Sequence, residues 1–165
     1  MSTTRLREIK REIRVLGLAS WSNLDAGTHE TVGVIFRGKH WLDGVLKTSS
    51  EGPSVTAEVA ETIRGSNHHP QIRVILLHRD LLNDGAEIDP LRLSRETGKP
   101  VIALGFQDPP QNSRSPTPPI TVGVDEKTAK KILKKTSRTG LYPEALRVAG
   151  LIAESHSNRI KQHKL

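Results

Sequence analysis

The chain has no cysteine, which excludes disulfides, thiolate nucleophiles and thiolate-held zinc. It has no apolar run of the roughly twenty residues that a membrane-spanning helix needs. Its first residues, Met1-Ser-Thr-Thr-Arg-Leu-Arg-Glu8, form no apolar signal region, so a cytoplasmic protein is expected, with no membrane partner. Aromatic residues make up only 3% (Trp21, Trp41, Phe36, Phe106 and Tyr142), too few for a platform that stacks successive bases of a single strand.

What is present is a globular balance of 35% apolar and 26% charged residues over 165 positions, the length of one domain. The net charge is +7 and is unevenly placed. Residues 1–15 carry five Lys/Arg against two Glu, residues 16–125 ten against thirteen acids, and residues 126–165 ten against three. The body is slightly acidic and the C-terminal portion carries the excess, with residues 155–165 as a basic tail. Such asymmetry predicts an anionic partner, most simply DNA or RNA. Lys127, Lys130, Lys131, Lys134 and Lys135 recur at helical spacing, a point-charge face suited to phosphates and not to base reading. A solvated amphipathic helix would give the same spacing.

Patterning predicts strands over Glu12–Leu18, Thr28–Arg37 and Trp41–Lys47, with short connections that imply an antiparallel meander and a polar loop over Trp21–Gly27. Ser54 caps a predicted helix with Val55, Val59, Ala60 and Ile63 on one face. The apolar run Ile72–Leu77, interrupted by Arg73 alone, predicts a central strand covered on both faces. A helix over Ile88–Thr97, closed by Gly98, leads to a buried strand at Pro100–Leu104, which implies a right-handed parallel crossover. Five prolines place Gln107–Pro119 in an exposed loop. A short strand at Ile120–Val124, a helix over Glu126–Lys135 capped by Asp125, and a last helix over Tyr142–Ile160 complete the order. Three antiparallel strands, then helix–strand–helix–strand, then helices is the element order of a ribonuclease H-like α/β fold with a mixed sheet and helices on both faces.

Four collinear segments resemble one family, the archaeal domain of unknown function family 99, which is similar to endonuclease V. They are Ile13-Arg-Val-Leu-Gly-Leu18; Val32-Gly-Val-Ile-Phe-Arg-Gly38 with Trp41-Leu-Asp-Gly-Val45; Val74-Ile-Leu-Leu77 through Asp89 to Thr97-Gly-Lys-Pro-Val-Ile102; and Tyr142-Pro-Glu-Ala-Leu-Arg-Val-Ala-Gly-Leu-Ile-Ala153. The resemblance implies a metal-dependent nuclease-like site at the ends of the central strands, where divalent cations clamp the oxygens of a phosphodiester.

This chain departs from that pattern at the site itself. Ala19-Ser20 stand where the family carries an Asp pair, and His78-Arg79 where the central strand ends in Asp-Gly. Glu51 keeps one carboxylate of the segment before the first helix, but Ser54 replaces the other, and Gly150 replaces a helical His. A guanidinium near the former cage opposes a metal and favours a phosphate. The resemblance therefore implies a non-catalytic relative that binds nucleic acid through Arg79, Arg147 and Lys127, Lys130, Lys131 and Lys134. No cofactor is expected, with Mg²⁺ or Mn²⁺ implied only if a residual site stays active. Two alternatives stand beside this: a remodelled nuclease or phosphoesterase site built from Glu51, His78 and Asp43, or a protein-interaction scaffold. Arg147 could equally be a helix ion pair, Asp43 a turn residue and Asp89 a helix cap, while His68 and His69 are expected as loop histidines and His156 and His163 in solvated positions.

Overall fold

A computed structural model describes residues 8–52, 55–78, 88–105 and 118–162, with side-chain positions through residue 156. Ser54, Arg79, Asp80, Asp84, His163 and nearly all of the Pro-rich segment 107–119 lie outside the described residues.

Six strands form one sheet. They are β1 (Arg14–Asn23), β2 (Thr28–Arg37), β3 (Trp41–Glu51), β4 (Val74–His78), β5 (Val101–Leu104) and β6 (Ile120–Val122), in the spatial order β3-β2-β1-β4-β5-β6. β1, β2 and β3 pair antiparallel, β4 lies parallel to β1, β5 parallel to β4, and β6 antiparallel to β5. Four helices cover it: α1 (Thr56–Gly65), α2 (Pro90–Thr97), α3 (Glu126–Thr136) and α4 (Glu144–Gln162). The expected mixed sheet and fold class are therefore present.

The period-2 alternation of the strands divides the core into two layers. Val15, Ala19, Trp21, Val34, Val74, Leu76 and Ile102 face α3 and α4. Leu16, Leu18, Ile35, Ile75, Leu77 and Val101 face α1 and α2. Val15, Leu16, Val74, Ile75 and Leu76 are fully buried, as a strand covered on both sides requires.

Several boundaries differ from the sequence reading. β1 runs through residues expected as loop: Trp21 is buried against α4 and pairs with Glu30, so the ladder extends to Asn23 and only a tight turn remains. β3 continues past Lys47 to Glu51 for the same reason, its partners being Thr28 to Thr31 of β2. Helix α1 begins after Val55, which makes no side-chain cap hydrogen bond. Helix α4 runs from Glu144 to Gln162, two residues later at each end than the expected Tyr142–Ile160, and so takes in most of the expected basic tail. The capping expectations hold at α2 and α3. The Asp89 carboxylate accepts from the amides of Leu91 and Arg92, Gly98 closes α2 in the left-handed conformation at φ 70°, and Asp125 accepts from the amide of Thr128.

One contact sets the position of α4. A Cβ on Gly17 would lie 2.5 Å from the carbonyl carbon of Ala145, so only glycine lets the helix backbone rest directly on β1. The inward stripe Ala145, Leu146, Ala149 and Ala153 is small enough to maintain that approach.

Candidate functional site

The site implied by the sequence lies where β4 ends beside the middle of β1. Leu18 pairs with Leu77, so the next rung brings together Ala19 and His78. Ala19 shares the α4-facing layer with Val15 and Trp21, and His78 follows Val74 and Leu76 of that layer. Both are buried, at 2% and 4% exposure, which matters because an imidazole at that depth needs a polar partner.

Tyr142, in the segment leading into α4, supplies one. Its hydroxyl and His78 Nε2 share a 2.5 Å hydrogen bond, and the two rings tilt by 36° with centroids 5.4 Å apart. Burial pushes the Tyr142 hydroxyl up from its ordinary pKa, and the nearby Arg147 charge offsets part of that. Two residues on, the Glu144 carboxylate is buried and receives a fork from Arg147 Nε and Nη2, with Arg138 Nε at 3.8 Å. The Arg147 hydrogen bonds hold Glu144 below the usual carboxylate range against the opposing effect of burial, and the Arg147 and Arg138 charges add to them. Arg147 makes the helix ion pair that the sequence offered beside a phosphate role, with two of its nitrogens on Glu144.

A divalent cation wants several carboxylate or imidazole ligands converging on one point. The strand ends do not fit it. Ala19 offers a methyl group, Ser20 Oγ is engaged with Thr31 Oγ1 at 2.9 Å, and His78 Nε2 is engaged with Tyr142. Among the described residues, no three His, Asp or Glu side chains are grouped to hold a metal. Gly150, where the family pattern has histidine, has open space where a side chain would go.

The other residual candidates are not brought to His78. Glu51 is exposed at the end of β3, opposite Thr28 and three strands from β4, on the order of 15–20 Å away by strand spacing and rise. Asp43 lies at the far end of the strands. It occupies a bulge between the Ile35–Gly44 and Phe36–Leu42 pairs, accepts from Arg14 Nε at 2.8 Å, and lies 3.6 Å from Arg37. It is a structural bulge residue, tied down by two arginines from neighbouring strands.

The loop histidines His68 and His69 lie in a turn as expected, and they and His156, expected in solvent, have structural partners. His69 Nε2 bonds the Thr97 carbonyl at 2.8 Å, His68 packs over Gly44, and His156 stacks on Trp21 with centroids 4.7 Å apart. Sequence reasoning missed Glu30. This carboxylate is 7% exposed inside β2, accepts from the Thr28 and Ser49 hydroxyls, and lies 3.7 Å from Lys47 Nζ. An acid inside a β-branched run was the available signal. Lys127, Lys130, Lys131 and Lys134 are all exposed on α3, and Lys130 lies 3.8 Å from Glu126.

A family model described as Endonuclease dU matches residues 11–116. The chain belongs to the endonuclease dU family. Its relatives include the UPF0215 protein of Methanopyrus kandleri, 33% identical over 90% of this chain and 93% of that one, and the UPF0215 protein of Methanothermobacter thermautotrophicus, 30% identical over 93% and 92%. Among solved structures, a protein of unknown function from Archaeoglobus fulgidus superposes with a TM-score of 0.71 at 22% identity, covering 86% of this chain and 96% of that one. Ciona intestinalis endonuclease V, in complex with a 24mer DNA containing an inosine, superposes with a TM-score of 0.60 at 13% identity, covering 96% and 91%. The endonuclease V-like kinship expected from the motifs is thus established, and the shared architecture extends over both layers of the sheet. Among the described residues, no helix of this endonuclease dU family member is long and apolar enough to cross a membrane.

Proposed function

We propose that this member of the family binds nucleic acid without hydrolysing it. One observation carries the reading: where β4 ends beside β1, a methyl group and a tyrosine-bound histidine occupy the positions where the family pattern has carboxylates. A two-metal mechanism needs ligands on both strands to hold the cations beside the scissile phosphate. His78 is engaged with Tyr142, and Ala19 can ligate nothing.

Binding is supported by kinship with nucleases and by the exposed lysines of α3, whose charges suit a phosphate backbone and carry no base preference. Lys127, Lys131 and Lys134 are in no ion pair among the described residues. Arg79 follows His78 directly in sequence and is proposed to add to the interface.

The test joins two measurements on the purified protein. Binding to labelled DNA and RNA at low salt should be detectable and fall linearly on a log–log plot as salt rises. No cleavage of deaminated or undamaged strands should occur with Mg²⁺ or Mn²⁺. Robust metal-dependent cleavage abolished by Glu51→Ala, or no binding to either nucleic acid at low salt, would defeat the proposal.

A further inference from the structure

The edge of the sheet farthest from Ala19 and His78 gathers cations from three separate parts of the chain. Lys135, in the last turn of α3, donates to the Ile9 carbonyl in the segment before β1. The Gly38 amide donates to the Ile13 carbonyl at 2.8 Å, which fixes the β2–β3 turn against that same segment. Arg138 Nε, just beyond α3, lies 3.5 Å from the Lys39 carbonyl of the turn. These joins set Lys10, Arg11, Lys39, Lys135 and Arg138 along one border.

Lys10 and Arg11 are exposed and Lys39 is half-exposed, and none of the three has an ion-pair partner among the described residues. The acids of this border are Glu8 and Glu12, both exposed; Asp43, whose carboxylate is already shared between Arg14 and Arg37; and Glu144, which pairs with Arg147 and lies 3.8 Å from Arg138.

Trp41 begins the strand that leaves this turn, and its residue is 58% exposed. The Arg37 guanidinium lies 6.0 Å from the ring centroid, so a cation backs an indole that stays largely open to solvent. A largely open indole two residues from Lys39, on the turn that joins the segment of Lys10 and Arg11, is the pairing that single-strand recognition uses: charges track the phosphates and an aromatic face takes a base. The scarcity of aromatic residues limits the ring contribution to one base.

We infer that this border is a binding site for a single-stranded nucleic-acid segment, with Lys10, Arg11 and Lys39 on phosphates and one base stacked on Trp41. The site rests on the nucleic-acid reading above and adds its location, remote from the family's strand-end centre, and its preference for an unpaired base.

The experiment uses the full chain carrying Trp21→Phe, so that Trp41 is the sole indole, and titrates it with a thymidine oligonucleotide of about fifteen nucleotides. Trp41 fluorescence should be quenched, and a duplex of equal length should quench it less. Trp41→Ala should weaken binding roughly 5- to 100-fold, while Trp41→Phe, which keeps a π-face, should retain most of the affinity. The double change Arg11→Gln/Lys39→Gln should reduce the salt slope by about 1.4, two phosphate contacts' worth. Arg95→Gln, on exposed α2 in the other layer, should change neither quantity. Binding that leaves Trp41 unquenched, with affinity and slope unchanged in the Trp41 and Arg11/Lys39 variants, would overturn this site while the nucleic-acid reading stands. Absence of any binding by the unmodified chain would remove both.

Discussion

His78 and Tyr142, 64 residues apart in sequence, share a hydrogen bond at the rung where β4 meets β1. The bond joins the sheet to the entry of α4 and satisfies an imidazole nitrogen that burial would otherwise make costly. Tyr142→Phe should therefore destabilise the fold by about 1–3 kcal/mol, read as a fall of a few degrees in Tm, while leaving far-ultraviolet circular dichroism unchanged. An unaltered Tm would show that the bond contributes nothing net.

Gly17 and Gly150 should respond oppositely to alanine. A Cβ on Gly17 meets the Ala145 backbone at 2.5 Å, which cannot give way without moving α4, so Gly17→Ala should cost about 1–3 kcal/mol or more. A Cβ on Gly150 meets nothing within 4 Å and removes a flexible residue from a helix interior, so Gly150→Ala should stabilise by about 0.5–1 kcal/mol. Chemical denaturation of both variants decides the pair of signs.

Glu144 should make stability depend on acidity in a defined direction. Its folded carboxyl is held below the ordinary glutamate range, chiefly by Arg147. The unfolded chain therefore takes up the proton first as pH falls. The stabilisation is complete above the ordinary range and is lost as pH drops through the lowered folded value. Glu144→Gln should flatten that part of the stability–pH curve. Arg147→Ala should cost about 1–3 kcal/mol near neutrality, toward the lower end because the arginine is half exposed and screened.

Divalent metal should leave thermal stability untouched. A ligand present at about one hundred times its Kd adds about 2.7 kcal/mol, which a melting curve reads easily. Millimolar Mg²⁺ or Mn²⁺, or a chelator, is expected to leave Tm unchanged. A rise with Mn²⁺ that Glu51→Ala abolishes would point to a retained metal centre.

Much of the architecture was legible in the sequence because its signals are local. The unbroken Val74–Leu77 run marked a doubly covered strand, and Asp89, Gly98 and Asp125 marked helix ends by chemistry that acts within a few residues. The end of β1 was not legible, because Ser20, Trp21 and Ser22 become strand only through pairing with residues of β2, and polar composition reads as loop when the partner is unseen. The emptied rung at Ala19 and His78 could be read from the motifs. The pairing of His78 with Tyr142 could not, since hydrogen-bond partners so far apart in the chain leave no spacing pattern. The roles of Arg147 and Asp43 stayed ambiguous for a related reason: a charged side chain near a site reads alike whether it faces a ligand or a neighbouring residue.

The seat of α4 on Gly17 has a consequence beyond packing. The helix is located by contact between main chains, with no side chain between them, and that contact lies two residues before Ala19 on β1. Framework and chemistry are therefore carried by different atoms. The side chains at Ala19 and His78 can be exchanged while the bearing that aligns helix and sheet keeps its dimensions, so the body of the protein is indifferent to which chemistry that part of the sheet carries.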